Sequence, residues 1–216
     1  QMCTEPQDIF DTRGGIETDQ GHKSADDVAE GIKTALDKLL GDPERAAAIC
    51  GGIQNPATLE RVGKAGEWGE VVRESTPIEG LPDGSRSATP ALVKVDSAAS
   101  QVHREECFGP IAFLVLTEDA DDAIEQASTL ARTKGAITAA VYASDEATLD
   151  KAGDAFTRAG ACLSCNLTGS VLVNHSAAFS DYHVTGGNPA GNACLTDTAY
   201  VANRFRVAMI RRPAAA

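Results

Sequence analysis

The stretch from residue 111 to residue 166 leaves this chain the fewest options for folding. Ile111 to Thr117 is a run of apolar and β-branched residues, Asp119 to Ala131 has a helical pattern, and Ala136 to Tyr142 reads as a strand. Asp145 to Arg158 reads as a helix with an acidic first turn, and Ala161 to Asn166 as a further strand. Strands and helices alternating over short connections are the sequence form of a parallel sheet covered by helices, because each parallel crossover needs a helix-sized connection. The core architecture read from this pattern is α/β.

Upstream the pattern is more varied. Val28, Ile32, Leu36 and Leu39 or Leu40 recur at helical spacing, with Ser24 and Asp27 as an N-terminal capping pair and Gly41 as a stop, which predicts a helix over 24–40. A short helix follows over 43–50. Another begins after Asn55, where Pro56 occupies the first turn and Leu59 and Val62 face inward. Strands are expected at 70–73 and 91–95. Between Thr168 and Thr196 the periodicity disappears and Gly, Ser, Asn, Asp and Pro accumulate, and a connection of this length is more often functional than idle. A last helix is expected near 197–203 and a last strand at 207–210.

Composition narrows the function classes. The 216 residues are 43% hydrophobic and 23% charged, in the ordinary globular range, and suffice for a core without disulfide staples. Lys and Arg number 19 against 31 Asp and Glu, a formal net charge of -12, which repels phosphate backbones and argues against nucleic acid as a partner. Arg204, Arg206, Arg211 and Arg212 gather near the end of the chain, either as strand-end charges facing water or as an anion site. No segment approaches the ~18 apolar residues of a membrane helix, so no membrane partner is expected. The six cysteines are expected to be reduced thiols of a cytoplasmic protein, since nothing in the sequence calls for a disulfide framework. The opening Gln-Met-Cys-Thr lacks an initiator context, and the chain is expected to be cut from something longer.

Two short segments could carry chemistry. Cys3 sits in Gln1-Met-Cys-Thr, shortly before the strand-like Ile9-Phe10; one cysteine alone is more often a buried or inert thiol than a nucleophile. His103-Arg-Glu-Glu-Cys-Phe-Gly-Pro110 is a constrained loop before a buried strand, readable either as a solvated acidic turn or as a loop with one carboxylate free for a hydroxyl-rich ligand. Cys162-x-x-Cys165 suggests zinc or redox chemistry only weakly, because positions three apart on a strand point to opposite faces, and no second ligand pair is present. No metal is expected. Neither a Gly-x-Gly-x-x-Gly after a strand nor a Walker-type loop occurs, and Thr185-Gly-Gly-Asn-Pro-Ala-Gly191 is merely glycine-rich.

Taken together, Gln1-Met-Cys3, Glu105-Glu-Cys-Phe-Gly-Pro110, the strand–helix alternation over 111–166 and the loop before the last helix resemble the C-terminal half of the NAD(P)-dependent aldehyde dehydrogenase superfamily. The Gln-Met-Cys-Thr-x-Pro-Gln start and the Phe179-Ser-Asp-Tyr-His-Val-Thr-Gly-Gly-Asn-Pro189 segment resemble its phenylacetic-acid-degradation branch. The resemblance implies a three-layer αβα catalytic domain with a mostly parallel sheet over 1–205, followed by a C-terminal strand and tail over 206–216. It implies that Cys3 attacks an aldehyde carbonyl to form a thiohemiacetal, that hydride passes to NAD or NADP, and that water cleaves the resulting thioester. A thiolate both attacks and leaves well, and the Cys3 N–H is the local donor for the oxyanion. The resemblance further assigns Glu106 to the nicotinamide ribose hydroxyls and Phe108 to packing near the nicotinamide. Phe179 and Tyr182 are placed in the aldehyde channel, although Ser180, Asp181 and His183 depart from the pattern of many members. The cofactor domain, the general-base glutamate and the oxyanion asparagine precede the cysteine in that family, so turnover by this chain alone is not expected. The implied partners are a small aldehyde and further copies of the chain. Two other readings stay open, a non-catalytic oligomerisation or scaffold domain of the same fold and an enzyme that passes the acyl group to coenzyme A.

Overall fold

A computed structural model describes residues 6–136, 138–168 and 210–213. The chain divides into two compact units, residues 1–123 and residues 124–216. The expected helix near 197–203 lies outside the described residues.

The first unit is organised around a four-stranded sheet. Its strands are β1 (Asp8–Thr12), β4 (Glu70–Arg73), β5 (Ala91–Asp96) and β6 (Ile111–Thr117), in the order β1-β6-β5-β4. β6 pairs in parallel with both β1 and β5, whereas β4 joins antiparallel with a register shift between Val71 and Arg73. Alternation along the strands separates two packed faces. Phe113, Val115, Val93 and Val95 are buried on one face with Val62 and Ala65, and Phe10 and Trp68 pack against them. Leu92 and Leu114 point the other way onto Ala29 and Ile32 of helix α1 (Ala25–Leu40). This unit therefore has helical segments on both faces of a mostly parallel sheet, the architecture expected from the sequence.

Local chemistry explains the boundaries. Ser24 Oγ accepts the Asp27 N–H while the Asp27 carboxylate accepts the Ser24 N–H, the reciprocal cap read from the sequence. Asp42 and Asn55 cap α2 (Pro43–Cys50) and α3 (Pro56–Gly63), each with proline in the first turn. Between α3 and β4 the chain makes a short 3-10 turn. The segment from 74 to 90 has no regular structure and is held by isolated backbone bonds, such as Thr89 N–H to Thr76 O at 2.8 Å, and by side chains, with Arg73 donating to Pro90 O at 2.6 Å and Arg86 donating to Ile53 O at 3.0 Å. A small antiparallel ribbon, β2 (Ile16–Thr18) with β3 (Gly21–Lys23), was not foreseen, because its residues are nearly all exposed and show no apolar alternation.

The second unit carries β7 (Thr138–Val141), β8 (Cys162–Cys165) and β9 (Ile210–Arg211), all parallel, with β8 in the centre. Helix α5 (Glu146–Ala159) supplies Leu149, Ala152 and Phe156 to a core shared with Leu163 and Cys165. Ile124, Ala127 and Ala131 of α4 (Ala120–Lys134) pack against the same cluster. Gly160 stops α5 in a left-handed conformation (φ 77°), with its N–H on the last carbonyls of the helix. The sequence pattern treats 111–117, 136–142 and 161–166 as one alternating series; among the described residues, β6 pairs with β1 and β5, and β7 with β8. No helix among the described residues is long and apolar enough to cross a membrane.

Candidate functional site

The turn formed by residues 105–110 is fixed by its neighbours. At its start Gln7, immediately before β1, makes a two-sided clamp. Its Oε1 accepts the Cys107 N–H at 2.6 Å, and its Nε2 donates to Glu105 O at 3.0 Å and to His103 O at 3.4 Å. The Gln7 carbonyl in turn accepts the Phe113 N–H at 2.7 Å, so one residue is bonded to the turn through its side chain and to β6 through its backbone. At the far end Arg61 of α3 donates to Phe108 O at 2.7 Å. Gly109 has φ 142°, and a Cβ placed there would lie 2.5 Å from Thr58 Cγ2, so backbone conformation and space both select glycine.

What this scaffold exposes is a pair of side chains. Glu106, between the two backbone groups that Gln7 holds, is exposed and has no hydrogen-bond or ion-pair partner among the described residues. Phe108 is 47% exposed despite being a large apolar ring. Cys107 between them points inward, and burial pushes its thiol up from the ordinary cysteine range. The turn therefore presents a carboxylate and an aromatic ring while withholding the sulfur.

Two titratable side chains withdrawn from solvent neighbour the Gln7 clamp. His103 is buried, sits edge-on to Phe10, and leaves Nδ1 without a hydrogen bond among the described residues; burial lowers its pKa. Asp8, half-buried beside Gln7, has its pKa raised to about 7, chiefly by desolvation and against the pull of the Gln7 hydrogen bond. Asp8 follows Cys3 closely in sequence and shares the electrostatic environment of Cys107. Sequence reasoning missed Gln7, Arg61 and Asp8. A polar pair at the head of a strand-like segment was the only signal available for the first and last of them.

The residues expected to act divide into two groups. Glu106 and Phe108 lie on the clamped turn. Cys3, Phe179 and Tyr182 lie outside the described residues. Cys162 and Cys165 are buried free thiols on β8, and burial raises the Cys165 thiol pKa. Among the described residues no group of three His, Cys, Asp or Glu side chains is placed to hold a metal ion. Of the expected arginine cluster, Arg212 reaches Glu146 at 2.7 Å and Asp150 at 2.6 Å, and Arg211 donates to Ser164 Oγ at 2.8 Å. These two guanidinium groups are engaged by α5 and β8 and do not simply face water; Arg204 and Arg206 lie outside the described residues.

The fold and this turn meet a known pattern: the aldehyde dehydrogenase family profile matches residues 21–191, and the chain belongs to that family. Among solved structures it is similar to the NAD-dependent aldehyde dehydrogenase from Burkholderia multivorans, with 44% identity over 95% of this chain and a TM-score of 0.81. The chain spans 37% of that enzyme's length. A mutant of aldehyde dehydrogenase C from Pseudomonas syringae, crystallised with NAD+ and octanal, aligns over 76% of this chain and 39% of its own at 17% identity. Its TM-score of 0.40 is too low to support an argument. No curated protein matches.

Proposed function

We propose that this chain is the catalytic portion of an aldehyde dehydrogenase that oxidises an aldehyde to a carboxylic acid with NAD or NADP, Cys3 being the nucleophile. The observation that carries the reading is the Gln7 clamp. Gln7 lies four residues after Cys3, a covalent reach of at most about 14 Å, and it is hydrogen-bonded on both sides of Glu106. The closeness of Cys3 in sequence to the residue that holds the cofactor turn supports a crevice shared by nucleophile and cofactor.

The exposed pair on the turn fits the nicotinamide end of a dinucleotide. Glu106 supplies acceptor oxygens for two adjacent ribose hydroxyls, and Phe108 an apolar surface for a flat ring. When bound, the cofactor supplies the hydride acceptor. The chain's own work is nucleophilic: the Cys3 thiolate adds to the carbonyl carbon, its N–H is the proposed donor to the developing oxyanion, and water releases the acyl group from sulfur as a carboxylic acid. In net terms aldehyde, water and oxidised nicotinamide give carboxylate, reduced nicotinamide and protons.

The finer reading extends the sequence resemblance. The aldehyde arises in phenylacetate catabolism, with Phe179 and Tyr182 lining its channel. Residues 1–205 form the catalytic domain and 206–216 a strand and tail. The enzyme works in the cytoplasm as a homo-oligomer, and the residues preceding Cys3 in the family supply the cofactor domain and general base. This portion alone is then inactive.

The test is differential alkylation with iodoacetamide at neutral pH, followed by mass spectrometry. Cys50, Cys107, Cys162 and Cys165 are buried and Cys194 lies outside the described residues; an activated Cys3 is labelled ahead of all five, and Cys3→Ala in the full-length enzyme abolishes aldehyde oxidation. Retained oxidation in Cys3→Ala would overturn the proposal.

A further inference from the structure

We infer that Gln7 is a positioning residue: its side chain holds the Glu106 turn against the head of β1, the strand that follows Cys3 in sequence, and so fixes the geometry in which the cofactor's nicotinamide end is held. This rests on the function proposed above and assigns a role to a residue that touches neither substrate nor cofactor.

The argument starts from the length of the connection that Gln7 replaces. The turn is about 100 positions from Gln7 in sequence, so covalent linkage does nothing to align the two. Their alignment falls to non-covalent bonds. Backbone pairing of β1 with β6 sets the strands, beginning at Asp8 and Phe113, but the turn precedes β6 and lies outside that ladder. Between the ladder and Glu106 the chain has Gly109 and Pro110, a left-handed residue and a ring that cannot donate; the Pro110 carbonyl accepts the Ala91 N–H of β5 at 3.0 Å, on the side of β6 away from β1. The primary amide of Gln7 fills this gap because it both accepts and donates. The acceptor face takes the Cys107 N–H, and the donor face serves Glu105 O and His103 O. These groups flank Glu106, so the amide fixes the peptide planes that aim the carboxylate.

No other polar side chain makes the same contacts. An aliphatic residue at position 7 leaves the Cys107 N–H and the Glu105 carbonyl to compete for water. A glutamate can accept from Cys107 but turns a second acceptor on two carbonyls. On the other side of the turn the half-buried Arg61 holds the Phe108 carbonyl, so the backbone there is restrained by a separate and removable contact. Misplacement of a carboxylate by about 1 Å lowers reaction rates by up to about a hundredfold when the geometry of a reactive complex is at stake.

Two activities of the same sulfur separate positioning from general damage. Oxidation of an aldehyde needs the turn and the cofactor. Hydrolysis of an activated ester such as p-nitrophenyl acetate needs only the Cys3 thiolate, which takes the acyl group, expels p-nitrophenolate and is freed by water. In the full-length enzyme, Gln7→Met keeps the volume of the side chain and removes its amide. The expected result is a cofactor KM raised about tenfold or more, with cofactor-dependent kcat/KM falling at least about fivefold further than ester hydrolysis. Arg61→Met, a surface change that leaves the core alone, shifts the same ratio in the same direction if Gln7→Met proves insoluble. Equal losses in both activities, or no change in the cofactor KM for either variant, overturn the inference. Cys3→Ala separates the two levels. If it retains both activities, the proposed function fails; if it abolishes both while the Gln7 and Arg61 variants behave as wild type, the positioning role alone fails.

Discussion

Gly109→Ala attacks the turn through sterics, and its cost can be worked from the structure. Two penalties combine. Alanine held at φ 142° occupies backbone space that L-residues rarely adopt, a strain of about 1–3 kcal/mol. The new methyl would stand 2.5 Å from Thr58 Cγ2, about 1 Å inside ordinary carbon–carbon contact. Thr58 is itself buried, so relief comes from moving α3 or the turn, at a further ~1–3 kcal/mol. The sum is about 2–6 kcal/mol, a large share of the stability of an ordinary domain. Urea unfolding followed by the fluorescence of Trp68 measures it as a lowered midpoint. A double-mutant cycle with Thr58→Ser divides the two penalties, because serine removes the clashing Cγ2 and leaves the backbone strain. The expected coupling is about 1–3 kcal/mol in favour of the double variant. A Gly109→Ala midpoint equal to wild type, or a cycle that closes without coupling, would refute the reasoning.

Two further outcomes follow from single contacts. The Asp8 pKa rises from 3.8 to about 7 on folding, so the folded state holds a proton that the unfolded chain releases, and stability falls as pH rises from about 4 to about 7. The full shift corresponds to ~4 kcal/mol, which solvent contact of a half-buried group reduces to about 2. Asp8→Asn is expected to remove that slope, and parallel pH-stability curves for the two proteins in urea would contradict it. Ser24→Ala removes the acceptor for the Asp27 N–H and should cost about 1 kcal/mol, seen as a lower Tm by calorimetry. An unchanged Tm would mean that the first turn of α1 is held by packing alone.

Local signals were readable and distant ones were not. The limits of α1 followed from Ser24 with Asp27, which bond to each other across three positions, and from Gly41, and the start of α3 from Asn55-Pro56; the Asp42 cap of α2 was not read. β6 was legible because Ile111, Phe113 and Val115 are buried on one face while Leu114 is buried on the other. The antiparallel direction of β4 carried no such mark, since Val71 and Val72 alternate identically whichever way the strand runs. The ribbon at 16–23 is nearly all exposed and shows no periodicity. In the site, Glu106 and Phe108 stood out through a contiguous motif. Gln7 did not, because its partners are about 100 positions away and an amide gives no hint of which backbone it will meet.

The pairing of β1 with β6 also governs when the protein can be finished as it is made. Their partnered residues are about 105 positions apart, so the first strand leaves the ribosome long before its neighbour exists. At ~5–20 residues per second it waits about 5–20 s. During that wait Ile9 and Phe10 have no sheet to join, and the most distant contacts of the first unit are among the last that can close. A nascent chain stalled before residue 111 therefore carries β1 as an orphan strand, available to chaperones and to other unfinished copies alike.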